Sequence, residues 1–364
     1  MKRIIYISTA KLHRNRANLI QTLNTANGIY NIHKNFTLFM SPYKSHIPYK
    51  KRLCDFGVNP HLPIKFSTFL HSRWKIFKYV PFVILHKNKL KHSHVYTRSF
   101  RISNALIKFS IPHVFEAHEF DQLYEDNFMV NLRHGLNRGI VLKVVATNNS
   151  LKELLLKEGI QLNKIEILPN GVNIQSFSKV KKLTPQRFKH PTLIHIGTLT
   201  PQKGLYIVQK LAQKGLKIIL AGNIAGNKNW SENVEVLGFI PHRDIPKIYN
   251  RAEISIIPYQ EDLEYVNSFC PIKLVESMAA RRAIIASDLK PMRELVTNEK
   301  EALLVPPSDI NAWIKAIEKL SKDPEFALQL AQNAYEKAKE LDWKKRAQKI
   351  IHIFNKTQRP LDRH

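Results

Sequence analysis

The sequence predicts an α/β protein built from two domains, each around an open parallel sheet. Three observations lead there. Short β-branched runs alternate with helical periodicity. The alternation restarts near Pro191 after a polar, basic stretch. At 364 residues the chain is long enough for two cores of ordinary size.

In the first half, residues 3–8 (Arg-Ile-Ile-Tyr-Ile-Ser) read as a buried parallel strand, because a strand covered on both faces is almost continuously apolar. A helix is expected over Arg16–Tyr30, with Leu19, Ile20, Leu23 and Ala26 on one side. Further strands are expected at Phe36–Met40, His94–Thr97, His113–Glu116 and Val141–Thr147, with helices at Ile102–Phe109 and Ser150–Glu158. In the second half, strands are expected at Pro191–Gly197, Leu216–Gly222, Val234–Leu237, Ile254–Pro258, Ala283–Ser287 and Leu303–Val305. Helices are expected at Leu205–Lys214, Ile245–Asn250 and Lys273–Ala280, and the chain from Asn311 onward reads as largely helical. The expected domains are 1–175 and 191–340, joined by a linker at 176–190, with residues 341–364 as a closing helix.

Composition removes several classes. The hydrophobic fraction of 44% excludes a disordered or low-complexity chain. Two cysteines, Cys54 and Cys270, exclude a disulfide scaffold and fit a reducing compartment. No apolar run approaches the ~20 residues of a membrane span, so a cytoplasmic chain is expected. The formal net charge is +28, and the excess sits at the front: residues 1–115 hold 20 basic side chains and the single acid Asp55. Such a field attracts polyanions, although a generally basic proteome would give the same sign. Nucleic-acid-binding signatures are absent, and no nucleic-acid partner is expected.

Chemistry in open α/β sheets belongs to the loops beyond the carboxyl ends of the strands. The loop Gly197-Thr198-Leu199-Thr200-Pro201-Gln202-Lys203-Gly204 joins a strand to a helix and offers backbone amides and one ammonium, either for a phosphate or as an ordinary junction. Gly238-Phe239-Ile240-Pro241 is an apolar loop that suits either a nucleobase or simple packing. Ser268–Ala279 carries Pro271 at a helix start and Glu276 one turn in, on an otherwise apolar face; it reads as a hydroxyl acceptor or as a surface glutamate. His118 follows the 113–116 strand, where a histidine can donate to a developing or departing oxygen. The first loop, Ser8–Asn18, is unusually basic through Lys11, Arg14 and Arg16; it suits a phosphorylated ligand or is merely solvated.

Taken in order, several segments resemble the retaining glycosyltransferases of GT-B architecture usually called family 4. They are Ile167–Asn173, Ile196–Leu199 with Lys203-Gly204, Val236–Pro241, Ser268–Ala279, Ala283–Ser287, Glu294 and Leu303–Val305. The first half matches more loosely, through Arg16–Gln21, Tyr96-Thr97-Arg98 and Glu116-Ala117-His118. The resemblance implies two Rossmann-like domains facing across a cleft, with the nucleotide-sugar on the second and the acceptor on the first. It implies donor contacts from Gly197, Thr198, Lys203, Phe239, Ile240, Lys273 and Glu276, and from the backbone of Phe269, Cys270, Pro271 and Ile272. His118, Lys203 and Glu276 become the catalytic set, and Lys11, Arg14, Arg16 and Arg98 the acceptor side. Departures are Ser268 where a glutamate is usual, Thr198 in place of an arginine, and a first loop without its Gly-Gly.

The function this implies is metal-independent, retaining transfer from a UDP- or GDP-linked sugar, as substrate and with no cofactor, to a surface glycan or lipid-linked acceptor of lipopolysaccharide or polysaccharide biosynthesis. No Asp-x-Asp occurs, in keeping with metal independence. Residues 71–91 mix aromatic, aliphatic and basic side chains and suit an anionic membrane surface or a core helix with a basic end. The rival expectations are a non-catalytic GT-B partner protein and a basic polyanion-binding protein.

Overall fold

The computed structural model describes residues 2–75, 77, 79–226 and 230–357, with the Lys75 side chain excepted. It divides into two compact units: residues 1–170 with 343–364, and residues 171–342. Each is a parallel α/β unit.

The first unit holds β1 (Ile4–Ile7), β2 (Phe36–Met40), β3 (Ile64–Phe66), β4 (His94–Thr97), β5 (His113–Ala117), β6 (Val141–Ala146) and β7 (Ile165–Ile167), in spatial order β3-β2-β1-β4-β5-β6-β7. All pairs are parallel, with Ile4 of β1 opposite Phe36 on one side and His94 on the other. The order reverses between β1 and β4, which opens a crevice beyond their carboxyl ends. The second unit holds β8 (Leu193–Ile196), β9 (Ile218–Ala221), β10 (Val234–Gly238), β11 (Ile254–Ile257), β12 (Ala283–Ser287) and β13 (Leu303–Val305), in order β10-β9-β8-β11-β12-β13. Its reversal lies between β8 and β11.

The central strands are fully buried, in keeping with their mostly apolar, isoleucine-rich sequences. β3 and β7 are edge strands of three residues and escape the sequence reading, because half-buried triplets carry no periodicity. The helices Tyr49–Asp55 and Phe128–Asn137 also escape it. Pro81 does not interrupt a helix. It lies in the first turn of Val80–Lys91, where its missing N–H costs no hydrogen bond.

The segment 176–190, expected as a linker, is part of the second unit. Phe177, Val180, Leu183 and Phe188 are buried there, and Arg187 pairs with the buried Glu253. Polar composition hid four apolar anchors spaced along the stretch. The chain passes between units at Asn170–Gly171 and again at Asp342–Trp343.

The helix Trp343–Thr357 belongs to the first unit. Ala347, Ile350, Ile351 and Phe354 pack against Leu19, Leu23, Ala26 and Ile29 of the helix Ala17–Ile32. Gly28 permits the approach: a Cβ there would lie 2.9 Å from both the Ala347 Cβ and the Trp343 carbonyl oxygen.

In the second unit Gly204 is required twice over. Its φ is +86°, and a Cβ would stand 2.1 Å from the Pro258 carbonyl oxygen at the end of β11. Gly215 has a similar φ of +79° with open space around it. Gly215→Ala should therefore cost about 1 kcal/mol from backbone strain alone, and Gly204→Ala about 3 kcal/mol or more because backbone must also move. Urea denaturation of both variants checks the difference; equal losses would show that the contact with Pro258 is not limiting.

Candidate functional site

In the second unit the expected residues converge on the carboxyl ends of β8, β10 and β11. Gly197 follows β8, and the position a Cβ would take there is 3.9 Å from Cγ of Lys273. Lys273 lies in the first turn of the helix Ile272–Ala279, and its Nζ is 2.8 Å from Glu276 Oε2. The other carboxylate oxygen of Glu276 is 2.6 Å from His242 Nε2, contributed by the turn after β10. Glu276 is 1% exposed. Burial alone would raise its pKa, but Lys273 and His242 outweigh that and hold it at about 2. So Glu276 is no surface glutamate: it is an ionised carboxylate clamped between two nitrogens. His242 was not singled out from the sequence; it sits one residue after the Gly238–Pro241 loop, and only the fold brings it to Glu276.

Lys203 closes the other side. Its ammonium lies 6.0 Å from the Tyr259 ring centroid, and the Tyr259 and Phe269 rings are 5.6 Å apart. Burial lowers the Lys203 pKa. Thr198 is exposed, Phe239 is 46% exposed, and Ile240 packs on the core of the unit instead. Only Phe239 of that pair therefore presents a surface broad enough for a base.

The backbone donors are fewer than the sequence suggests. The Gly197 N–H donates to the Ala221 carbonyl at 2.7 Å, continuing the sheet, and the N–H groups of Leu199, Lys203, Gly204 and Leu205 all have carbonyl acceptors within the loop region. The Phe269 N–H donates to the Tyr265 carbonyl, and Pro271 has no N–H. The helix start at Ile272 and Lys273 supplies the amides that point beyond its first turn. Ser268 is buried, Phe269, Pro271 and Ile272 are buried, and Cys270 is partly exposed. Positive charge at this crevice thus comes from Lys203 and Lys273 more than from a glycine loop.

In the first unit, the end of β5 carries a buried charge network. Arg346, from the closing helix, lies 2.7 Å from Glu116 Oε1 and also donates to Thr25 Oγ1 and the Pro169 carbonyl. Gln21 Nε2 donates to Glu116 Oε1 at 2.6 Å, the Tyr96 hydroxyl donates to Oε2, and His118 Nε2 lies 2.7 Å from Oε1. Burial opposes ionisation of Glu116, but Arg346, His118 and Arg98 hold its carboxyl well below the usual range. Burial and then Arg98 push His118 below the ordinary histidine value, against the pull of Glu116. The His118 Nε2–Glu116 Oε1 contact is short but not aligned as a hydrogen bond, and it fixes neither tautomer of the ring. Arg346 was missed, although its signal is present: it falls on the apolar stripe of Trp343, Ala347, Ile350 and Phe354.

His118 lines a cavity of about 460 Å³ together with Ser8, Thr9, Lys11, Arg14, Arg16 and Arg98, so the expected acceptor-side residues meet at the β1/β4 reversal. Arg98 is fixed by the Asn18 carbonyl and Gln21 Oε1. Among the described residues no helix is long and apolar enough to cross a membrane, and no group of three His, Cys, Asp or Glu side chains is placed to hold a metal.

Residues 178–337 match the family described as glycosyl transferases group 1. The chain is 24% identical over 160 residues to an alpha-D-kanosaminyltransferase of Streptomyces kanamyceticus, covering 40% of each chain. It is 23% identical over 257 residues to the N,N'-diacetylbacillosaminyl-diphospho-undecaprenol alpha-1,3-N-acetylgalactosaminyltransferase of Campylobacter jejuni, covering 65% of this chain and 67% of that one. The chain thus spans from two fifths to about two thirds of the length of these curated relatives. The crystal structure of HepE from Anabaena in complex with UDP superposes with a TM-score of 0.76 at 16% identity, covering 97% of this chain and 100% of that one. That likeness is one of fold, and the fold is GT-B: two Rossmann-like units with parallel sheets.

Two outcomes follow from the buried charges. Arg346→Met should cost about 3 kcal/mol, because it leaves Glu116 ionised without its main cation. Adding Glu116→Gln should recover part of that loss, and a double-mutant cycle by urea denaturation reads the coupling. Because the folded pKa of Glu276 is depressed, its stabilising contribution is complete above about pH 4.5 and falls as pH drops toward 2. The stability gap between the wild type and Glu276→Gln should narrow across that window, as measured by denaturation at pH 7, 4 and 3.

Proposed function

We propose, from the premise that the carboxyl-terminal unit belongs to the glycosyl transferases group 1 family, that the chain transfers a sugar from a nucleoside-diphosphate donor to an acceptor hydroxyl with retention of anomeric configuration. The observation that carries this reading is the buried Glu276 clamped by Lys273 and His242, with Lys273 beside Gly197 and Lys203 over the Tyr259 ring of the same unit. Two ammonium groups suit a diphosphate, and a buried carboxylate suits paired ribose hydroxyls. For a sugar hydroxyl to reach Glu276, the ribose takes the remaining lone pairs of its carboxylate or displaces His242. Phe239 supplies the exposed ring for the base.

In the reaction the anomeric C–O bond to the diphosphate breaks and a C–O bond to the acceptor oxygen forms. The acceptor proton passes to the leaving diphosphate oxygen on the same face. Charge accumulates on the diphosphate as oxocarbenium character develops, so Lys203 and Lys273 stabilise the transition state more than the ground state. This preorganised positive charge supports a metal-independent reaction. His118, neutral and on the cavity wall, faces a hydroxyl of the reacting sugar. Relatives that bear diphospho-undecaprenol in their names support a lipid-linked acceptor, and so a place in lipopolysaccharide or polysaccharide assembly on the cytoplasmic side of a membrane. The exposed Phe77, Ile84 and Leu85 with Lys87 and Lys91 support contact with an anionic leaflet. Ile76 and Lys78 of that stretch lie outside the described residues.

Calorimetric titration of UDP and GDP, each with EDTA and with a divalent cation, tests the reading. One nucleotide should bind equally in both conditions. Lys203→Ala and Glu276→Ala should lower transfer by at least 100-fold, or about 3 kcal/mol of transition-state stabilisation. Failure of both nucleotides to bind a folded sample, or full transfer by both variants, overturns the assignment.

A further inference from the structure

We propose that the cavity of the first unit is an anion site, and that the acceptor therefore enters as a phosphate or diphosphate ester rather than as a neutral glycan. The proposal rests on the transferase reading above and adds the substrate class.

The cavity opens at the β1/β4 reversal. Five cationic side chains line it: Lys11, Arg14, Arg16, Arg98 and Arg101. They differ in what opposes their charge. Arg101 is neutralised by Glu125 and Asp126. Arg98 is held by neutral acceptors, but its charge is partly taken up by the nearby Glu116. Lys11, Arg14 and Arg16 pair with no carboxylate among the described residues. The ammonium of Lys11 donates only to the neutral Ser72 hydroxyl, at 3.3 Å.

Mutual repulsion registers on the neighbours. Lys11 binds its proton less tightly than usual, through burial first and then through Arg14, Lys44 and Arg16. His13 on the same loop is lowered by burial and then by Arg14, Lys11, Lys44 and Arg52. A loop holding like charges this close has a standing electrostatic cost that a bound anion removes. Among the described residues Glu119 is the one carboxylate on the wall, and Gln122 donates to it. A neutral sugar would do nothing for three unopposed cations, whereas a diphosphate brings about two negative charges and acceptor oxygens for each guanidinium.

The test uses the full chain and inorganic pyrophosphate as probe. Pyrophosphate is titrated calorimetrically into wild type and into the K11Q/R14Q/R16Q variant, and UDP and GDP are titrated into both as separate measurements. The expected result is at least a 10-fold loss of pyrophosphate affinity in the variant, steeper at low salt, with nucleotide affinity and melting temperature unchanged. Equal pyrophosphate binding by the two proteins, or none by the wild type, overturns the proposal. Nucleotide affinity that survives in the triple variant reports on the donor site, so its absence from both proteins removes the transferase reading and leaves the anion site standing or falling on the difference in pyrophosphate binding between the two proteins.

A second arm separates the sources of the phosphoryl group. Retention on phosphatidylcholine vesicles carrying undecaprenyl diphosphate, above vesicles of equal charge carrying phosphatidylglycerol, places it on a lipid. Competition with pyrophosphate by glucose 1-phosphate, without any vesicle preference, places it on a soluble sugar. Either result supports the site, provided the triple variant abolishes it; persistence in the variant counts against it.

Discussion

The contact between Arg346 and Glu116 is the interaction on which the first unit turns. Glu116 lies at the end of β5, fully buried, and could not stay ionised there unaided. Arg346 arrives from the far end of the sequence to oppose it. Once the carboxylate is fixed, Gln21, Tyr96 and His118 are oriented around it, and Gln21 in turn holds Arg98. One ion pair thus fixes the carboxylate beside the histidine and, through Gln21, the position of an arginine on the cavity wall. The second unit repeats the device on a smaller scale. Glu276 is charged only because Lys273 and His242 flank it, and they are in turn positioned by it.

Both units place these carboxylates where the strand order reverses or beside it. The reversal forces neighbouring loops to diverge, and the divergence leaves a crevice that side chains must line. In the first unit the lining is arginine and lysine, three of which, Lys11, Arg14 and Arg16, pair with no carboxylate among the described residues. In the second it is two lysines, a buried carboxylate and a pair of aromatic rings. The two crevices share one geometric origin and differ in electrostatics, which is how one architecture can present two chemically distinct faces.

Much of this was legible in the sequence. Continuous β-branched runs announced the central strands, because burial on both faces leaves no polar alternation to misread. Lys203 and Glu276 stood out as polar residues at a strand end and on an apolar helix face, whereas Lys273 entered only through the family resemblance. What stayed hidden was long-range. His242 gains meaning only from a neighbour 34 residues away, and Arg346 from one 230 residues away. The buried segment 176–190 was concealed by its lysines, whose stems and charges lie outside while Phe177 and Phe188 anchor it. Backbone amides were over-counted at Gly197 and Phe269 because a sequence shows where a donor exists and not which carbonyl already receives it.

The closing helix has a consequence for how the chain is made. A ribosome releases residues 1–170 long before Trp343, with the whole second unit synthesised in between. Until then the apolar stripe of Leu19, Leu23, Ala26 and Ile29 lacks the cover of the closing helix, and Glu116 lacks the guanidinium of Arg346. The nascent amino-terminal part therefore waits as an incomplete core, sticky on one face and carrying a carboxyl that burial favours in its protonated form. Final locking waits for the closing helix, which makes premature termination anywhere before it damaging to the part of the protein made first.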